Sequence, residues 1–250
     1  MPHGICHLSI IPLRSLADDT SEMRTQLLYG EHFAILEKRK SWSRIRVSSD
    51  KSEGWVCNEQ YLPLTAEAFQ ALENEQAALF ATDLVSFSST PQQLLIPILL
   101  GSCVGQAQLL GHSFEGASTN GKTNKKTVVD MALRYLNAPY LRGGKSPFGI
   151  DCSGLSQIVY RLQGVNLPRE AAAQAMQGEA LSFIEESEAG DLAFFDNKEG
   201  VIDHVGIIMD NNYIIHAYGK VRIDRLDHTG IFNTELGLYS HQLRVIKKII

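Results

Sequence analysis

The sequence contains no run approaching the roughly 18 consecutive apolar residues of a membrane-spanning helix; even the strongly apolar stretch at residues 94–100 is far too short. It has no excess of basic charge. The formal net charge of -5 makes nucleic acid and anionic membrane poor partners. Cysteine is scarce and scattered: Cys6, Cys57, Cys103 and Cys152 form no C-x-x-C pair. That spacing argues against a disulfide framework and against a zinc site of paired ligands, and leaves four free thiols with no metal or cofactor expected. The opening residues Met1-Pro2-His3-Gly4-Ile5-Cys6-His7 lack the basic start and apolar core of an export signal, so a cytoplasmic location is expected. Long internal repeats and low-complexity tracts are missing too.

What is present divides the chain. With 250 residues there is length for one large or two modest domains. Short mixed segments at residues 6–13, 25–28, 32–38, 42–47 and 54–58, separated by turn residues such as Gly30 and the run Ser48 to Glu53, predict five strands. Five strands in sixty residues suggest a small barrel over residues 1–64. Residues 65–118 predict a helix over 65–80, containing Ala71, Leu72 and Ala77, and then strands near 84–88, 94–100 and 102–104 packed on that barrel. The small, polar residues 119–125 predict a linker. Residues 126–250 begin with helical segments at 126–137, 152–163 and 171–177, and continue with strands at 191–195, 204–209 and 213–217. Helices first and antiparallel strands after predict an α+β domain.

The centre of that domain is Asp151-Cys152-Ser153-Gly154. Leu155, Ile158, Val159 and Leu162 follow at helical spacing, which predicts one buried face, and Gly164 marks the stop. Cys152 therefore falls in a first helical turn, where unpaired backbone N–H groups and the helix dipole favour the thiolate, the nucleophilic form. The alternative is a small buried apolar residue, the common fate of a free cysteine.

Two histidines complete a pattern. His204 opens one strand, His216 lies in the next, and Asp210-Asn211-Asn212 between them reads as a hairpin turn. A three-residue loop pairs Met209 with Tyr213 and sets His204 and His216 on one face as diagonal neighbours, about 7–8 Å apart at Cα. A two-residue loop would separate them onto opposite faces. A cysteine at a helix start, a histidine base and a second group that orients the base are the parts of thiol nucleophilic catalysis.

Two resemblances sharpen this reading. Leu28-Tyr29-Gly30-Glu31, Trp42 to Val47, Gly54-Trp55-Val56 and Tyr61-Leu62 resemble a bacterial SH3-like domain. Asp151-Cys152-Ser153-Gly154, Leu167-Pro168-Arg169, Ala189-Gly190-Asp191-Leu192, Phe194-Phe195, Asp203-His204-Val205-Gly206-Ile207 and Ile215-His216-Ala217 together resemble the NlpC/P60 cysteine peptidases, over about residues 125–250. With the SH3-like region in front, the chain is similar to the γ-D-glutamyl-L-diamino-acid endopeptidases of that family.

The resemblance implies a papain-like α+β core, with Cys152 as nucleophile, His204 as base and His216 as the third polar residue. It implies hydrolysis of the γ-D-glutamyl bond to diaminopimelate or lysine in murein peptides with a free N-terminal L-Ala, as in cell-wall peptide recycling. Asp151 would face the substrate ammonium, with Tyr61 and Glu31 helping, and Ser153 and Arg169 would meet the D-Glu carboxylate. A helix cap for Asp151, barrel core for Tyr61 and a surface charge for Glu31 are the plainer roles. Ala171 stands where the family often has a hydroxyl, which removes one hydrogen bond to that carboxylate. Tyr140 matches a family tyrosine near the oxyanion. Six further histidines, His241 among them, show no arranged partner. The rival functions are an inactive wall-peptide-binding protein and a thiol acyltransferase of related fold.

Overall fold

A computed structural model describes residues 1–75, 78–121 and 124–250, and its contacts divide the chain into two units. Met1–Lys122 with Arg142–Ser146 form the first, and Thr123–Leu141 with Pro147–Ile250 the second. Ala77 of the expected helix and residues 122 and 123 of the expected linker lie outside the described residues.

In the first unit seven antiparallel strands form one sheet, in the order Met23–Leu28, Ile10–Arg14, Glu53–Cys57, Trp42–Val47, His32–Lys38, His3–Cys6, Tyr61–Leu64. Leu27 and Ile11 from one end of this order share a core with Tyr61 from the other, so the sheet curls around its own apolar face. The expected strand at 6–13 is two strands with a turn at residues 7–9, a break that no glycine or proline announces. Ala66–Glu73 is helical, capped by Thr65, whose Oγ1 accepts the Ala68 N–H at 3.1 Å. It ends at Asn74, short of the expected 80. Val85–Ser89, Leu95–Leu99 and Ser113–Phe114 form a small sheet. The expected strand at 102–104 is absent; Gly101, at φ +86°, turns the chain there and Val104–Gln106 is a 3-10 turn.

The second unit is α+β. Its helix Cys152–Arg161 is buried at every position, not on one face, because it packs between the sheet on one side and the helices Val128–Leu133 and Ala171–Gln174. It stops where expected: Gly164 adopts φ +78°, and the Gly164 and Val165 N–H groups return to the carbonyls of Arg161 and Tyr160. The helix expected at 126–137 is shorter, Val128–Leu133 after a 3-10 turn at Lys125–Thr127.

The sheet has four strands that the sequence reading did not place: Glu179–Leu181, Lys220–Leu226, Gly230–Asn233 and Leu238–Lys248. Its order is Glu179–Leu181, Leu238–Lys248, Leu192–Asp196, Ile202–Met209, Tyr213–Tyr218, Lys220–Leu226, Gly230–Asn233. The long strand Leu238–Lys248 also pairs with Gly230–Asn233, so six strands close into an antiparallel barrel. Ala193, Phe195, Ile208, Ile214, Leu226, Ile231 and Ile246 cluster as its filling. The Cys152 helix packs against Ile202–Met209 and Tyr213–Tyr218, which bury both faces and so read as near-continuous apolar runs.

Candidate active site

Alternation along each strand places His204, Gly206 and Ile208 on one face, with His216 and Ile214 beside them. Ile208 and Ile214 belong to the barrel filling, so the two histidines extend that filling toward one end of the barrel. Their register is the expected one: Met209 pairs with Tyr213 and Gly206 with His216 across the three-residue loop. Asn211 and Asn212 take φ +59° and +62° in that loop, a conformation asparagine tolerates better than most residues. Gly206 makes the pairing possible, because a Cβ there would lie 2.6 Å from Ile214 Cδ1 and 3.1 Å from His216 Cβ.

A relay of hydrogen bonds results. Nε2 of His204 lies 2.8 Å from Nδ1 of His216, and Nε2 of His216 lies 3.1 Å from Oδ2 of Asp224. Asp224 is in turn clasped by Arg222, through Nε to Oδ2 at 2.6 Å and Nη2 to Oδ1 at 3.1 Å. Burial pushes the Asp224 carboxyl up, but His216 and Arg222 overcome it and hold the carboxyl at about 2. An ionised Asp224 accepts from His216 Nε2–H. Nδ1 of His216 is then the acceptor for His204 Nε2–H, which leaves Nδ1 of His204 unprotonated and able to take a proton.

Cys152 opens its helix, with Asp151 as the cap: Asp151 Oδ1 accepts the Gly154 N–H at 2.8 Å. The thiol reaches the Asp203 carbonyl at 3.8 Å. Burial, aided by the Asp151 charge, pushes the thiol up to about 12, against the backbone N–H groups of Val205 and Ser153. Burial thus opposes the helix-start preference for thiolate. Burial likewise holds His204 well below its ordinary value, helped by His241 and His216, and lowers His216 despite Asp224.

Cys152, His204, Asp203, Tyr140, Tyr218 and His241 line one cleft of about 870 Å³. The expected carboxylate-binding residues sit beside it in an ion-paired cluster. Arg169 donates to Asp151 Oδ2 at 2.6 Å and to Ser153 Oγ at 2.8 Å. Gln174 ties the Leu-Pro-Arg block to the helix start through the carbonyls of Pro168 and Ser153. Ala171 is buried. Glu31 and Tyr61 belong to the first unit. Glu31 accepts the Leu28 N–H at 2.7 Å and faces the Lys145 ammonium at 3.2 Å, both side chains buried, so it is no surface charge. Tyr61 is core, with its hydroxyl 2.9 Å from Ser43 Oγ.

Sequence reasoning missed Asp224, Arg222 and His241. Asp224 was reachable, since Ile214 pairs with Asp224 and the same two-residue parity applies one hairpin later. His241 was not: it lies on the closing strand and stacks on His204, ring centroids 4.0 Å apart. His204, His216 and His241 bring ligand nitrogens within 4.8 Å of one another. The rings of His204 and His241 are stacked, 21° from parallel, and His204 Nε2, His216 Nδ1 and His216 Nε2 are engaged in the relay. The arrangement suits proton transfer.

A thiol and an imidazole relay in one cleft of an α+β unit have the parts of a thiol peptidase, and known proteins narrow the class. Residues 137–237 match the NlpC/P60 family, and residues 13–60 match the bacterial dipeptidyl-peptidase SH3 domain. The chain is 25% identical to a gamma-D-glutamyl-L-lysine dipeptidyl-peptidase of Bacillus subtilis, over 78% of this chain and 72% of that protein. A protein of the same description from Bacillus cereus is 23% identical over 80% of this chain and 68% of its own length. The crystal structure of an NlpC/P60 family protein from Bacillus cereus superposes with a TM-score of 0.77 at 17% identity, covering 99% of each chain. The chain thus carries an NlpC/P60 domain with a bacterial SH3 domain ahead of it, and the protein is a cysteine peptidase.

Proposed function

We propose that this peptidase hydrolyses the γ-D-glutamyl bond to diaminopimelate or lysine in murein peptides with a free N-terminal L-Ala, and serves cell-wall peptide recycling in the cytoplasm. The observation that carries the reading is the relay from His204 through His216 to Asp224 in the cleft that also holds Cys152. The names of the two Bacillus relatives support the bond class.

The chemistry is papain-like. Nδ1 of His204 takes the thiol proton as Sγ attacks the γ-carbonyl carbon, and the imidazolium is stabilised through His216 by Asp224. The oxyanion lies against the N–H groups at the start of the Cys152 helix, with Tyr140 nearby. His204 then gives its proton to the departing amine. Water adds to the thioester, its hydroxyl going to the acyl carbon and its proton through His204 back to sulfur.

Ser153 and Arg169 meet the D-Glu carboxylate, and Asp151 meets the ammonium, aided by Tyr61 and Glu31. Asp151 is already engaged by Arg169, so an amine there shares its carboxylate with an internal cation. The test is hydrolysis of L-Ala-γ-D-Glu-meso-diaminopimelate, its lysine counterpart and the N-acetylated peptide by wild type and Cys152→Ala. Cleavage confined to free-amine peptides and abolished in the variant is expected. Equal cleavage of the acetylated peptide removes the amine requirement; no cleavage of any peptide overturns the reading.

A further inference from the structure

The long strand Leu238–Lys248 closes the barrel by changing partners along its length. Ile246 pairs with Ala193 and faces the barrel filling. Between there and the Phe195–Leu243 pair the register shifts, at a β-bulge that leaves Arg244 unpaired. The bulge reverses the alternation, so that Leu243 and His241 join Ile246 on the inner face; His241 pairs with Ile231, another filling residue. Bulges recur where a side chain must be re-aimed. Gly230 lets the two strands meet, since a Cβ there would lie 1.9 Å from the His241 carbonyl oxygen.

The side chain so placed covers His204. The two rings stack at 4.0 Å and 21°, while His241 stands edge-on to His216 at 5.7 Å, to Tyr218 at 4.9 Å and to Phe195 at 6.0 Å. Its Nδ1 is 2.8 Å from Ser240 Oγ, and no bond to the relay occupies its other nitrogen among the described contacts. It lines the cleft.

We propose that His241 is a positioning residue for His204. Its ring, acting as a flat wall, confines the His204 imidazole to the plane in which Nε2 reaches His216 and Nδ1 faces the cleft. The inference rests on the thiol-peptidase reading of that cleft, but not on the choice of peptide. Since the work is done by a face, another aromatic ring performs it and an aliphatic group of similar bulk does not.

The test measures alkylation of Cys152 by iodoacetamide across pH 5 to 9, resolved by peptide mass spectrometry because Cys6, Cys57 and Cys103 are also free. His204→Ala sets the floor. His241→Leu is expected to slow Cys152 labelling up to about a hundredfold, toward the His204→Ala floor, and flatten its pH profile, the scale of a misplaced reacting group. His241→Phe is expected to restore both to within about twofold, with thermal melts of the two variants matching. Wild-type labelling in His241→Leu overturns the proposal. So does His241→Phe as slow as His241→Leu, which would assign the role to the imidazole rather than to its face. Labelling needs no peptide, so failure of the proposed substrate would appear separately, as an unhydrolysed peptide with a reactive Cys152.

Discussion

Nε2 of His204 lies 2.8 Å from Nδ1 of His216, and that single contact, read with Asp224 on the far side, fixes the tautomer of both rings. A base defined this way depends on a residue two hydrogen bonds away. Asp224→Asn keeps the shape but no longer demands a proton on His216 Nε2. It is expected to lower kcat on the order of a hundredfold with KM little changed. Steady-state kinetics on the murein tripeptide check this; an unchanged kcat would show that the relay stops at His216.

The closeness of the two histidine strands rests on Gly206. With a Cβ 2.6 Å from Ile214 Cδ1, Gly206→Ala must push the hairpin apart or shift Ile214 within the barrel. A cost of about 1–3 kcal/mol in urea unfolding is expected, together with slower Cys152 labelling as His216 moves.

Arg169 and Asp151 form a pair with side chains 5% and 10% exposed, and Asp151 also caps the Cys152 helix. Removing one partner strands a buried charge, so Arg169→Ala is expected to cost about 3–5 kcal/mol in denaturant unfolding. A loss under about 1 kcal/mol would mean that water reaches the pair as it does at the surface.

Acid should weaken the fold through the imidazoles. His204, His216 and His241 are all held below the ordinary 6.5 by burial. As pH falls through 6.5 the unfolded chain takes up protons that the folded chain refuses, so stability drops with acidification; for His241 the loss accrues down to its own value of about 4. The urea midpoint is expected to be lower at pH 5 than at pH 7.5, with a shallower decline in His241→Phe. A midpoint equal at both pH values would contradict this.

What the sequence made legible was whatever follows from local counting. The turn Asp210-Asn211-Asn212 has three residues, and from that number alone His204 and His216 fall on one face, as they do. Gly164 ended its helix, and Cys152 began it. What escaped depends on pairing between distant segments. The bulge at Arg244 reverses the parity of the closing strand, so no counting from either end puts His241 over His204. The upward push on the thiol escaped for a related reason: the helix start is visible in the sequence, whereas the burial that opposes it comes from elements packed around the helix.

Barrel closure also orders events in time. A nascent chain translated through residue 237 already contains Cys152, His204, His216 and Asp224, yet its barrel is open, because Leu192–Asp196 and Gly230–Asn233 both wait for the strand Leu238–Lys248. That pairing joins segments some fifty residues apart, the kind of contact that forms late in folding. The same strand brings the ring that covers His204. One strand therefore both shuts the barrel and covers its base, so a chain that has not yet paired it leaves the His204 ring bare on that side.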